Sequence, residues 1–115
     1  VIATLKKGFN NKSMKIIVNK NRLDINPEQF LRRAGYAFIH DTERNKDSFV
    51  RRLTRDFYPR LHMYAENLSD RLVFDLHLDQ KKASYEGNHM HNAEYEGAVV
   101  EEEIARLKEL LKSLA

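Results

Sequence analysis

The chain of 115 residues contains no cysteine and no tryptophan. Without cysteine there are no disulfides and no thiolate metal sites, and a reducing compartment fits better than a secreted one. No apolar run approaches the length of a membrane span, and no secretory signal pattern is visible. Together these absences predict a cytoplasmic protein. The two prolines and four glycines are few, so those present are informative punctuation.

What remains is ordinary globular material. Hydrophobic residues make up 42% and charged residues 32%, which excludes a disordered chain. The length allows one domain with a modest core. Charge is unevenly spread. Residues 1–60 hold 14 Lys/Arg against 6 Asp/Glu, and residues 61–115 hold 6 against 11. Such a chain can fold with its halves in contact, or its basic half can face a polyanion. The chain begins with Val1, and Met14 stands just before the β-like run Lys15-Ile16-Ile17-Val18. Residues 1–13 lack periodicity, so they are expected to be disordered or to precede the true start, with the domain covering 14–115.

Lys15 to Asn19 reads as a short strand. Asn26 as N-cap, Pro27 at the first helical position and Gln29 at the capping-box position mark a helix start. Gly35 marks its end. The spacing predicts a helix over Pro27–Ala34 with Phe30, Leu31 and Ala34 facing the core. Tyr36 to His40 and Ser48 to Arg55 read as strands, the second as an edge or a binding surface because Arg51 lies between Phe49 and Leu53. Pro59 marks a bend or the start of the next strand.

The clearest pattern is a β-hairpin from about Arg60 to Asp79. Leu61, Met63 and Ala65 alternate with polar residues, as do Leu72, Phe74, Leu76 and Leu78. A four-residue turn at Asn67-Leu68-Ser69-Asp70 would pair Glu66 with Arg71, Tyr64 with Val73, His62 with Asp75 and Arg60 with His77. Gln80 to Gly97 reads as a long polar loop. From Ala98 the chain reads as a helix whose stripe is Val100, Ile104, Leu107, Leu111 and Leu114. Glu101, Glu102 and Glu103 fall in its first turns, where the macrodipole favours them, and Glu102 is four residues from Arg106. The predicted fold is α+β: a small antiparallel sheet of three or four strands, a short N-terminal helix, and a long C-terminal amphipathic helix on one face.

Two clusters could carry function. Arg44, Lys46, Arg51, Arg52, Arg55 and Arg60, joined by Lys81 and Lys82 and interleaved with Phe57 and Tyr58, are suited to phosphates and unpaired bases. The bland alternative is a solvated face and core aromatics. On the non-core face of the hairpin, alternation brings Arg60, His62, Asp75, His77 and Asp79 together, with His89 and His91 in the loop beyond. Imidazole and carboxylate suit a divalent metal, and His77, Asp79, His89 and His91 are the candidate ligands. His89 and His91 share a side only if their stretch is extended. Two short motifs add less: His89-Met90-His91, which nucleases pair with a tyrosine such as Tyr95, and Asp79-Gln80-Lys81, an acid-x-Lys pattern.

Phe57-Tyr58-Pro59-Arg60, Phe74 to Lys81 and Glu94-Tyr95-Glu96-Gly97 resemble a group of short hypothetical proteins from candidate-phylum bacteria, over roughly Phe30 to Leu107. The resemblance implies a bacterial origin and a start near Met14, and it brings no activity. The order helix, three strands, helix is similar to that of double-stranded RNA-binding domains. That family grips phosphates with lysines at the start of its second helix, where this chain has Glu101-Glu102-Glu103, which would repel them.

The expectation is therefore a non-enzymatic binding module, monomer or homodimer, with nucleic acid as first partner. The alternatives are a metal-dependent hydrolase or nuclease on the histidine face, and a subunit that docks through the C-terminal helix.

Overall fold

The computed structural model describes residues 2–7, 13–41, 46–80 and 89–114. The fold is α+β, with one antiparallel sheet and two helices among the described residues. The strands are β1 (Ile2–Lys7), β2 (Ser13–Asn19), β3 (Ala37–Asp41), β4 (Lys46–Arg52), β5 (Arg60–Asn67) and β6 (Arg71–Asp79). Helix α1 (Pro27–Arg33) lies between β2 and β3, and α2 (His89–Leu114) follows β6. The sheet has six strands in the order β1-β2-β6-β5-β4-β3, not three or four. The strand at one end is β1. It comes from the segment expected to be disordered, and it pairs with β2 from Ile2↔Val18 to Lys7↔Ser13. Four strands, not three, separate the helices, and two precede them, so the resemblance in element order to duplex-RNA-binding domains does not extend to this topology.

Alternation sorts each strand between two faces. Met14, Ile16 and Val18 of β2 meet Leu72, Phe74 and Leu76 of β6, and Leu61 and Met63 of β5 continue the row. Onto this face α2 lays Val100, Ile104, Leu107 and Leu111, all buried with it in one core. The stripe from Val100 to Leu111 is thus covered by the sheet, and Leu114 at its end is exposed. Helix α1 adds Phe30 and Leu31, with the Phe30 ring 5.8 Å from that of Phe74. Its ends follow local chemistry. The Asn26 side chain accepts from the Gln29 amide at 3.0 Å, Pro27 sits in the first turn, and Gly35 leaves the helix at φ 99°. That φ favours glycine, because an L side chain there is strained.

The hairpin keeps its expected faces but changes partners. Asn67 pairs with Leu72, Tyr64 with Asp75, His62 with His77, and Arg60 with Asp79. The slip from the expected register is two residues. A two-residue slip preserves which face each side chain occupies, whereas one residue would have reversed it. The turn is set by the Leu68 amide donating to the Arg71 carbonyl at 2.9 Å. Strand β4 is interior, and β3 forms the edge. Helix α2 begins at His89, well before Ala98, so the acidic triplet sits in mid-helix and the macrodipole does not explain it. No helix among the described residues is long and apolar enough to cross a membrane.

Candidate metal centre

The face of the sheet away from the helices carries the alternate set of residues. Its central row runs His77–His62–Val50 across β6, β5 and β4, and the next row runs Asp79–Arg60–Arg52. His62 is only 7% exposed although it lies on this face. Neighbouring rings cover it: its centroid is 4.6 Å from Tyr64 and 4.8 Å from His77. The Asp79 carboxylate lies between the histidines. His62 Nδ1 is 2.9 Å from Oδ2, and His77 Nε2 is 3.3 Å from Oδ1.

Burial raises the Asp79 pKa. The hydrogen bonds from His62 and His77, with their charges, more than reverse that and hold it below the usual carboxylate range. An ionised carboxylate only accepts, so His62 Nδ1 carries the proton and donates. Its buried Nε2 then has no hydrogen-bond partner among the described residues. Arg60 completes the group, with Nε 3.4 Å from Asp79 Oδ2.

His62, His77 and Asp79 each offer one donor atom, and these atoms lie within 4.8 Å of one another. A tetrahedral ion with bonds of about 2 Å needs donors about 3.3 Å apart. The 2.9 and 3.3 Å contacts reach different Asp79 oxygens and are hydrogen bonds, so ligation of one ion requires the rings and the carboxylate to turn from them. Two imidazoles and one carboxylate suit the borderline ions Zn²⁺ and Fe²⁺, and the harder Mn²⁺ through the carboxylate, better than Mg²⁺ or Ca²⁺, which prefer all-oxygen shells.

The sequence-predicted residues divide. His77 and Asp79 come together, and His62 joins them. The missed signal was register: the expected pairing set His62 opposite Asp75, and the observed one sets it opposite His77. The backbone at His89 and His91 is helical, so the extended geometry that would align them is absent. The side chains of His89 and His91 lie outside the described residues, as do those of Lys46 and Tyr95. Arg44, Lys81 and Lys82, and with Lys81 the acid-x-Lys motif, also lie outside.

The arginine cluster separates. Arg52 and Arg60 share the open face, and Arg55 is exposed in the β4–β5 connection. Arg51 points to the helix side. There its Nη1 is 3.6 Å from Glu103, and it packs so closely on Gly35 that a Cβ there would meet its Nε at 3.4 Å. Its place beside Phe49 and Leu53 thus reflects an internal partner, not an edge.

Glu103 itself was missed. It is 4% exposed and accepts from the Tyr36 hydroxyl at 2.6 Å and from Arg106 Nε and Nη2 at 2.7 and 2.8 Å. Arg106 pairs with Glu103, three residues away, in place of the expected Glu102. Its guanidinium pKa is raised, chiefly by the hydrogen bonds to Glu103. Burial, and then the Glu103 charge, push the Tyr36 hydroxyl far above the ordinary phenol range. The signal was available: Glu103 lies three residues after Val100 and four before Leu107, on the apolar stripe, where an acid requires a partner.

No family model, curated protein or solved structure matches the chain.

Proposed function

We propose that the protein is a divalent-metal-dependent hydrolase, with His62, His77 and Asp79 as the ligands of its ion. The observation that carries this is the convergence of three donor atoms within 4.8 Å on two adjacent strands. A second feature supports it. The buried Nε2 of His62 lacks a partner, and an orphaned buried polar group costs about 1–3 kcal/mol. A residue retained at such a cost is better explained by a ligand than by packing. Three protein ligands leave positions for water, the pattern of catalytic zinc sites as opposed to closed structural ones. An ion there would lower the pKa of a bound water and polarise an oxygen of a substrate.

The arginine surface is the weaker basis for function, because its described members fall on both faces of the sheet. The test is calorimetry with Zn²⁺ and Mn²⁺ on protein made without a histidine tag. One equivalent is expected to bind. His77→Ala should weaken binding by at least about 100-fold, since loss of a ligand exceeds the 10–100-fold effect of outer partners. No uptake by the unaltered protein overturns the proposal, and so does uptake that His77→Ala leaves unchanged.

A further inference from the structure

The site has a cationic, aromatic border on one side. Arg52 and Arg60 are directly opposite each other on β4 and β5, and Asp79 is directly opposite Arg60 on β6. Adjacent strands are about 4.8 Å apart, so Arg52 is roughly 10 Å from Asp79 along the row. Like charges in opposed positions repel. Here they are held by rings. The Arg52 and Arg60 guanidinium carbons lie 5.0 and 4.6 Å from the Phe57 centroid, and Arg60 is also 4.9 Å from that of Tyr58. Phe57 is nevertheless 51% exposed. An aromatic ring flanked by two cations and open to solvent offers a base a surface to stack on and its phosphates the exposed charge of Arg52, with Arg60, 12% exposed against Asp79, behind it.

The opposite side of the face is unlike this. A groove of about 500 Å³ there is lined by Asp47, Glu66 and Asp75, with Lys15 as the one cation among its described lining residues. A polyanion would avoid it and follow the arginine row.

We infer that the ligand of the metal site is single-stranded nucleic acid, with Arg52 and Arg60 on its phosphates and Phe57 under one of its bases. This rests on the metal reading above. With a divalent ion on Asp79, the ion, Asp79, Arg52 and Arg60 together carry a net charge of about +3, which calls for an anionic ligand. Arg60 now shares Asp79 with the histidines. Once that carboxylate turns to the ion, the Arg60 guanidinium gains a reason to engage a phosphate in its place.

The experiment is fluorescence anisotropy with a labelled single strand of about 12 nucleotides, at low salt, using the full chain with and without Mn²⁺. A strand of equal length without bases is run beside it. Expected are saturable binding, a loss of about 10-fold or more for the abasic strand, and weaker binding without Mn²⁺. Arg52→Ala with Phe57→Ala should lose about 10- to 100-fold while calorimetric Mn²⁺ uptake is unchanged. Absence of binding, equal binding of the abasic strand, indifference to Mn²⁺, or full affinity in the double variant each overturns the inference and leaves the metal reading intact. Absence of Mn²⁺ uptake by the unaltered chain removes the metal reading, and this inference with it.

Discussion

The two faces of the sheet each gather cations around one carboxylate, and the two clusters are finished differently. On the helix side, Glu103 accepts from Tyr36 and twice from Arg106, with Arg51 nearby. Arg106 Nη2 also donates to the Ala34 carbonyl at 2.6 Å, where α1 ends. The network thus ties α2, the end of α1 and β4 to one another. On the open side, Asp79 collects two imidazoles and an arginine, yet His62 Nε2 is left over. A buried polar network that is satisfied throughout specifies a fold, and one with an unused donor or acceptor stores a cost. The difference sets a closed network around Glu103 against an open one around Asp79, and the proposed metal site rests on the open one.

The sharpest way to break that assignment is to remove each carboxylate. Glu103→Ala strands the Tyr36 hydroxyl and two guanidinium groups. Loss of one partner from a buried ion pair costs about 3–5 kcal/mol. Arg51 and Arg106 are each about one-third exposed, so solvent repays part, and about 3 kcal/mol is expected. Asp79→Ala also removes repelling burial of charge and should cost about 1–2 kcal/mol. Urea denaturation compares them. Equal losses would erase the contrast.

Tyr36→Phe is a smaller cut on the same side. It removes a hydrogen bond to a charged acceptor, about 2 kcal/mol near neutral pH. The folded pKa of Tyr36 is raised above its unfolded value of about 10. The unfolded chain therefore loses that proton first, and the stability it confers is full below pH 10 and drains as pH rises toward the folded pKa. The gap between wild type and Tyr36→Phe should narrow by about 1.4 kcal/mol per pH unit above 10. Urea midpoints at pH 8, 10 and 11 measure it, and a constant gap would show that Tyr36 does not shed its proton preferentially on unfolding.

These contrasts also explain what the sequence made legible. Short-range signals transferred well: Asn26, Pro27 and Gly35 bounded α1, and period-2 alternation assigned Leu61, Met63, Phe74 and Leu76 to the core face. Such signals act within a few residues, so local physics fixes them. What did not transfer depends on distance along the chain. Register is insensitive to face assignment at a two-residue slip, so the His62–His77 pairing was hidden while both residues were assigned to the right side. Strand β1 has little pattern of its own and is stabilised by pairing with β2. Glu103 meets Tyr36 across 67 positions, and only its intrusion on an apolar stripe hinted at that partner.

The smallest stability effect should come with the largest functional one, at His62. Phenylalanine there keeps a ring against Tyr64 and His77 and removes both nitrogens. The lost hydrogen bond to Asp79 is worth about 1.5–3 kcal/mol, and the orphaned Nε2 that disappears with it was costing about 1–3 kcal/mol. These nearly cancel, and Asp79 keeps His77 and Arg60 as partners. His62→Phe should therefore unfold within about 1 kcal/mol of wild type in urea while losing metal uptake by calorimetry. Residues held for function commonly show this pattern, because the protein would be no less stable without them. A loss of 3 kcal/mol or more, of the order expected for a broken buried pair, would make the Asp79 cluster a second structural clamp like that of Glu103.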